Sequence, residues 1–121
     1  MYAEQHAPLS QQLELVFRAL KDELASLASG TIFLQVRNNL IGKFGVKHDP
    51  IVSSDGSLPS VDRGLQEHHQ AALRHAGLQT LQRKKWTHGE MSLAFELKND
   101  DLLANIQMES NYNMSNLRFK P

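Results

Sequence analysis

Histidines form the first group of side chains that could do chemistry, because His68, His69 and His75 lie close together in the sequence. Imidazole nitrogens bind zinc, so we first consider a metal site. Helical spacing opposes it, since seven residues separate His68 from His75, about 10.5 Å along a helix, which one ion cannot bridge. The sequence contains no HExxH motif and no pair of histidines four residues apart. We therefore expect no metal and no cofactor, and we expect His69 to lie in the core or at an interface.

A basic and aromatic segment follows, in which Arg83, Lys84 and Lys85 precede Trp86 and His88. Such groups can bind phosphate or stack on a nucleobase. The overall composition opposes nucleic acid, because 13 basic and 13 acidic side chains give a formal net charge of zero, whereas nucleic-acid binding draws on surplus positive charge. We expect a solvated connection with Trp86 in the core, and we keep a weak nucleic-acid binder as a second alternative.

Catalytic patterns are weaker still. Serine, histidine and acidic residues occur, but no G-x-S-x-G elbow orders them into a nucleophilic site. Gly42 and Gly45 resemble a phosphate-binding loop only superficially, because such a loop must lead into a helix N-terminus. Asp100 and Asp101 fall in a predicted turn, where acidic residues favour turn geometry without forming a site. We therefore lean towards a protein that is not an enzyme.

The elements that would position these groups are clearest in residues 90–109, where apolar and polar residues alternate as in two half-buried strands. Placing Leu97 opposite Leu102 gives every apolar residue an apolar partner. This register leaves residues 98–101 as a four-residue turn. It also pairs Phe95 with Ala104, Leu93 with Ile106 and Met91 with Met108.

Residues 31–48 predict a second hairpin, with apolar residues alternating on both sides of Asn38 and Asn39. A two-residue turn would place Lys43 opposite Leu34, on the apolar face. We therefore predict a three-residue turn, residues 37–39, in which Asn39 adopts the left-handed conformation that asparagine tolerates. The resulting pairs are Val36 with Leu40, Leu34 with Gly42 and Ile32 with Phe44.

Two amphipathic segments precede the hairpins. Residues 10–29 predict one helix, with Ser10 as the N-cap and Gly30 as the terminator. Residues 62–76 predict the other helix, which Gly77 would end. Between hairpin and helix, residues 49–64 are rich in proline, serine and glycine and predict a long loop. The apolar stripe of the first helix consists of Leu13, Phe17, Leu20, Leu24 and Leu27.

The order helix, hairpin, helix, hairpin predicts an α+β fold. Its four-stranded antiparallel sheet would consist of the hairpins 31–48 and 88–110, with the helices packed on one face. A chain of 121 residues fits a single domain, with ends at 1–8 and 112–121 that we expect to be flexible. The absence of cysteine, of a leader pattern and of a long apolar run predicts a cytoplasmic protein without a membrane segment.

We expect function on the open face, meaning the sheet face turned away from the helices. Strand residues outside the apolar alternation place Lys43 and Lys47 in one hairpin and Glu90, Glu96 and Glu109 in the other. These charges could form cross-strand pairs on a solvated surface. The same face is predicted to carry Phe33, Ile41, Ala94 and Leu103, which is more apolar than a wetted sheet usually is.

The sequence therefore predicts a small binding or regulatory module that forms a homodimer or binds a protein partner through this face. The predicted contact residues are Phe33, Ile41, Lys43, Leu103 and Gln107.

The first alternative is a domain that binds a small ligand or acts on one. Its pocket would lie between the loop 49–64 and the segment 83–90. The side chains expected to converge there on an anion are Lys47, His48, Arg83, Trp86 and His88.

Overall fold

Two helix-hairpin units make up the fold, and the computed structural model describes residues 7–60 and 63–117 of the chain. The predicted α+β architecture, an antiparallel sheet with both helices on one side, is confirmed. The elements are α1 (Leu9–Leu24), β1 (Ser29–Arg37), β2 (Leu40–Lys47), α2 (Glu67–Leu81), β3 (His88–Lys98), β4 (Asp101–Ser110) and a 3-10 helix (Met114–Asn116).

The strands lie in the order β2-β1-β3-β4. The first strand of each hairpin is therefore central, and the second strand is at an edge. β1 and β3 run antiparallel and pair from Ser29 opposite Glu96 to Arg37 opposite His88. This pairing joins the two hairpins into one sheet, in which the two units occupy equivalent places.

The predicted register of β3 and β4 is confirmed at all four apolar pairs, from Leu97 opposite Leu102 to Met91 opposite Met108. The turn is tighter than predicted, because Lys98 pairs with Asp101 and only two residues connect the strands. Asn99 and Asp100 both have positive φ angles, 51° and 68°. A turn of this hand matches the twist of the strands that it joins.

The predicted turn between β1 and β2 is wrong. Arg37 pairs with Leu40 and Val36 with Ile41, so Asn38 and Asn39 form a two-residue turn with φ angles of 51° and 60°. Lys43 nevertheless stays off the apolar face, because the register shifts between Leu34 and Val36. This bulge lets Phe44 lie opposite Leu34, and Gly42 and Lys43 together lie opposite Gln35.

Both ends of the first helix differ from the predicted ones. α1 has Pro8 rather than Ser10 at its N-cap, and the Pro8 carbonyl accepts hydrogen bonds from the backbone N–H groups of Gln11 and Gln12. The helix ends at Leu24, well before Gly30, and Ser29 and Gly30 pair with β3 instead. The Leu24 and Leu27 carbonyls both accept the N–H of Leu65, at 3.1 Å each.

α2 continues through Gly77, which was predicted to end it, as far as Leu81. Gly77 is buried, and a Cβ at this position would lie only 3.1 Å from Leu93 Cδ2. The absence of a side chain lets the helix approach the sheet closely. Packing therefore outweighs the low helix propensity of glycine.

The core lies between the helices and the face of the sheet that carries Ile32, Leu34 and Val36. Trp86 belongs to it as predicted, since it is only 2% exposed, and its indole Nε1 donates to the Leu81 carbonyl at 2.9 Å.

The predicted loop 49–64 is a loop where it is described, with one turn closed by paired hydrogen bonds between Ser54 and Ser57. Of the ends predicted to be flexible, residues 1–6 and 118–121 lie outside the described ranges.

Asn39 ties the β1–β2 turn to the rest of the fold. Its side-chain Oδ1 accepts the Trp86 N–H, its own N–H donates to the Trp86 carbonyl, both at 3.2 Å, and its carbonyl accepts Gln12 Nε2 at 3.0 Å. The Gln12 Oε1 in turn accepts the Ile41 N–H at 2.7 Å. Helix α1, the turn and the connection into β3 therefore share one hydrogen-bond network.

We expect Asn39→Ala to lower the free energy of unfolding by about 2 kcal/mol, about half from the lost Oδ1 hydrogen bond and half from alanine in a left-handed conformation. Asn39→Gly should cost roughly half as much, because glycine adopts that conformation freely. Urea denaturation measures both variants, with Asn38→Gly as the control at the neighbouring left-handed position. Equal losses for Ala and Gly would contradict the conformational part of this account.

Candidate functional site

Strand alternation gives the sheet two different faces. In β1, Ile32, Leu34 and Val36 are buried under the helices, and the intervening residues turn to the open face. The registers arrange that face in rows across the four strands. One row holds Gly45, Phe33, Ser92 and Gln107, the next holds Lys43, Gln35, Glu90 and Glu109, and on the other side lies the row Lys47, Thr31, Ala94 and Asn105.

The apolar part of the open face has two components. The Phe33 ring lies across β2, since a Cβ built on Gly45 would be 2.7 Å from Phe33 Cζ. Glycine at position 45 therefore makes room for the ring, which is half-buried. Leu103 on β4 lies opposite Glu96 and is 51% exposed. Leu103 is thus the more available apolar anchor for a partner.

Charges on the open face are divided between the two hairpins, as the sequence predicts. Arg37, Lys43 and Lys47 lie on β1 and β2, whereas Glu90, Glu96 and Glu109 lie on β3 and β4. The exception is Lys98 on β3, which pairs with Glu96 at 4.0 Å. Within the described ranges, no ion pair joins these two groups. Among the described residues, the one side-chain hydrogen bond across their boundary runs from Gln35 Nε2 to Glu90 Oε1, at 3.3 Å. The two halves of the face therefore keep opposite charge.

A groove of about 1030 Å³ lies at the end of the open face near the β1–β2 turn. Gln35, Arg37, Lys43 and Glu90 line its floor, and residues 111–113 form a wall. A hydrogen bond from the Asn111 N–H to the His88 carbonyl, at 2.9 Å, holds the start of this wall against β3. Tyr112 on this wall is 85% exposed. The groove thus extends the open face with further contact surface.

The structure places four of the five predicted contact residues on the open face: Phe33, Lys43, Leu103 and Gln107. Ile41 is not there. It lies opposite Val36 and packs against the core, because the two-residue turn reverses the side to which residues 40 and 41 point. Leu40, which is 38% exposed, takes its place opposite Arg37.

The side chains predicted to converge on an anion do not come together. Lys47 pairs with Thr31 and His88 pairs with Arg37, so six residues of β1 separate them, about 20 Å along a strand. His48 instead contacts Glu23, at 2.6 Å between Nε2 and Oε2. Trp86 is buried beneath Lys84, whose Nζ lies 4.5 Å from the ring centroid. Its ring is not available to stack on a base.

His68, His69 and Asp100 do meet, with atoms able to bind a metal all within 4.8 Å of one another. Both ring nitrogens of His69 are already engaged, however. Nδ1 accepts the Gln66 N–H at 3.0 Å and Nε2 lies 3.0 Å from the Asp100 carbonyl. Because Nδ1 accepts, the proton is on Nε2, which donates to that carbonyl. His69 therefore fastens the start of α2 to the β3–β4 turn, in the core position that its spacing predicts.

We expect His69→Ala to lower the free energy of unfolding by about 1–3 kcal/mol, because it leaves Gln66 N–H and the Asp100 carbonyl without their partner. His75, which is exposed on the same helix, gives the control, and His75→Ala should change stability by less than about 0.5 kcal/mol. Urea denaturation of both variants measures the difference. Similar losses at both positions would contradict the assigned hydrogen bonds.

Comparison with models of known protein families, with curated proteins and with solved structures found no match. In the part of the chain that the structure describes, no helix combines the length and the apolar character needed to cross a membrane. The fold and the open face together define the class: an α+β domain with helices on one side of an antiparallel sheet.

Proposed function

We propose that the protein is a small binding or regulatory module that self-associates through the open face of its sheet. The observation that carries this proposal is the contrast between the two faces. Helices cover the side of Ile32 and Leu34, whereas the opposite side presents Leu103 on β4 at 51% exposure and, on β1, the half-buried Phe33. An antiparallel sheet can leave one face in water, but that face is then largely polar.

A partner that covers Leu103 and Phe33 would be favoured, because burying apolar surface contributes roughly 25 cal/mol for each Å² removed from water. The charged residues around them suit the rim of an interface, which is commonly polar and solvated. This combination supports an interface that forms reversibly between folded domains. It gives no comparable support to a deep site for a small substrate.

The size of the face sets the expected strength of association. With strands about 4.8 Å apart and a rise of about 3.3 Å per residue, nine residues on each of four strands present roughly 570 Å². Two such faces would bury roughly 1,100 Å² in total, near the lower limit of specific interfaces. We therefore expect a dimer whose population depends on protein concentration.

A cytoplasmic location, expected from the lack of cysteine, stays a prediction.

Leu103→Glu tests the proposal, since it places a charge at an exposed apolar position of the open face without touching the core. We expect the fold to be retained and the dissociation constant of the dimer to rise at least about tenfold, because the interface loses the apolar surface of Leu103 and has to desolvate a carboxylate. Sedimentation velocity over a concentration series measures the change.

The chain offers a matched control in Leu15, a leucine on α1 that is 57% exposed. Leu15→Glu makes the same chemical change outside the open face and should leave association unaltered. If the two variants sediment alike, the open face is not the interface. A wild-type protein that stays monomeric at all concentrations would exclude self-association itself.

A further inference from the structure

The division of charge on the open face bears on how a second copy would dock there. Lys43 and Lys47 lie on the edge strand β2, and Glu109 lies on the opposite edge strand β4. Glu90 and Glu96 lie on β3, beside β4. The β2 edge of the face is therefore basic, and the half formed by β3 and β4 is acidic. Two copies of the face can then complement each other in one orientation.

We infer that two copies stack open face to open face about a two-fold axis that runs parallel to the strands. The inference rests on the proposed self-association and specifies its partner as a second copy of this chain. Such an axis places β2 of one copy over β4 of the other, and it keeps each row of the sheet at the same level. Basic and acidic edges then meet twice, once on each side of the axis.

The alternative two-fold axis for face-to-face stacking runs across the strands and gives the opposite result. It places β2 over β2 and β4 over β4, so that Lys43 of one copy approaches Lys47 of the other. On the acidic half, Glu90 would face Ala94 and Glu109 would face Asn105, so these carboxylates would gain no basic partner. Like charges brought together at an interface oppose association. The charge pattern therefore selects the axis parallel to the strands.

The row that contains Lys43 defines the closest contact. The bulge sets Lys43 opposite Gln35, Gln35 pairs with Glu90, and Glu90 pairs with Glu109. Because the axis preserves rows, Lys43 of one copy lies over Glu109 of the second copy. Packed sheets are separated by about 10 Å, a gap that two long side chains reaching from opposite sides can span.

The same axis covers the apolar anchors. Phe33 lies over Ser92 of the second copy, since both belong to one row and to adjacent central strands. Leu103 lies over the end of β2 in the second copy, next to Lys47. The methylene stem of a lysine can cover an apolar side chain while its ammonium group remains in water. That ammonium group also approaches Glu96, the neighbour of Leu103 across β3 and β4.

Charge reversal at two positions gives a test with an internal rescue. Lys43→Glu alone sets the introduced carboxylate against Glu109 at both sites of the dimer, and Glu109→Lys alone sets an introduced ammonium group against Lys43. We expect each variant to raise the dissociation constant about tenfold or more. When the two variants are mixed, both contacts become attractive between opposite variants, and a one-to-one heterodimer should form in preference to either homodimer.

Glu14 and Lys21 on the exposed side of α1 provide the control. Glu14→Lys and Lys21→Glu make the same reversals away from the open face, and neither the single variants nor their mixture should change association. Raising the salt concentration should weaken the wild-type dimer, because the contacts lie near solvent and are screened.

Sedimentation velocity of the labelled mixtures distinguishes the outcomes. Rescue on mixing supports the axis parallel to the strands. If Lys43→Glu instead tightens the dimer, the crossed axis brings residue 43 near Lys47, and the inferred orientation is overturned. If neither variant matters while Leu103→Glu still dissociates the dimer, the orientation fails and the proposed function stands. A monomeric wild type overturns both.

Discussion

Pairing of β1 with β3 is the constraint on which the rest of the structure depends. It joins the two hairpins along the whole of β1 and leaves β2 and β4 at the edges. Because side chains alternate along a strand, this pairing also decides which residues form the core and which remain outside. Two helices cover the centre of the core side, although Phe44 and Met108 remain exposed on its edge strands. In the described part of the chain, no helix covers the other side. The proposed function follows from that asymmetry.

Hydrogen bonds from polar side chains to the backbone hold the helix layer over the sheet. Asn39 joins the β1–β2 turn to α1 and to the connection before β3, and His69 joins α2 to the β3–β4 turn. Each satisfies backbone groups at a helix end or a turn, where no regular partner exists. With both turns fastened in this way, the open face is a fixed surface on which charge and apolar side chains keep their rows.

The sequence was most informative where one face of a strand pair is apolar. A one-residue slip of β3 against β4 would expose Leu93 and Phe95, so only one register fits. The bulge at Gly42 and Lys43 could not be foreseen, because pattern matching assumes unbroken pairing. Gly77 was misassigned because tertiary packing decides its place. The predicted anion site failed for another reason: Lys47 and Trp86 lie near opposite ends of the sheet, which only the β1–β3 register reveals.

The central claim is that a second copy covers the open face, and methyl NMR with a soluble paramagnetic agent tests it most directly. The agent broadens the signals of methyl groups that solvent reaches. We predict that the Leu103 and Ala94 methyl groups become protected as protein concentration rises, while the Leu15 methyl groups on α1 stay accessible. If the Leu103 and Leu15 methyl groups remain equally accessible throughout the concentration series, the result contradicts the account.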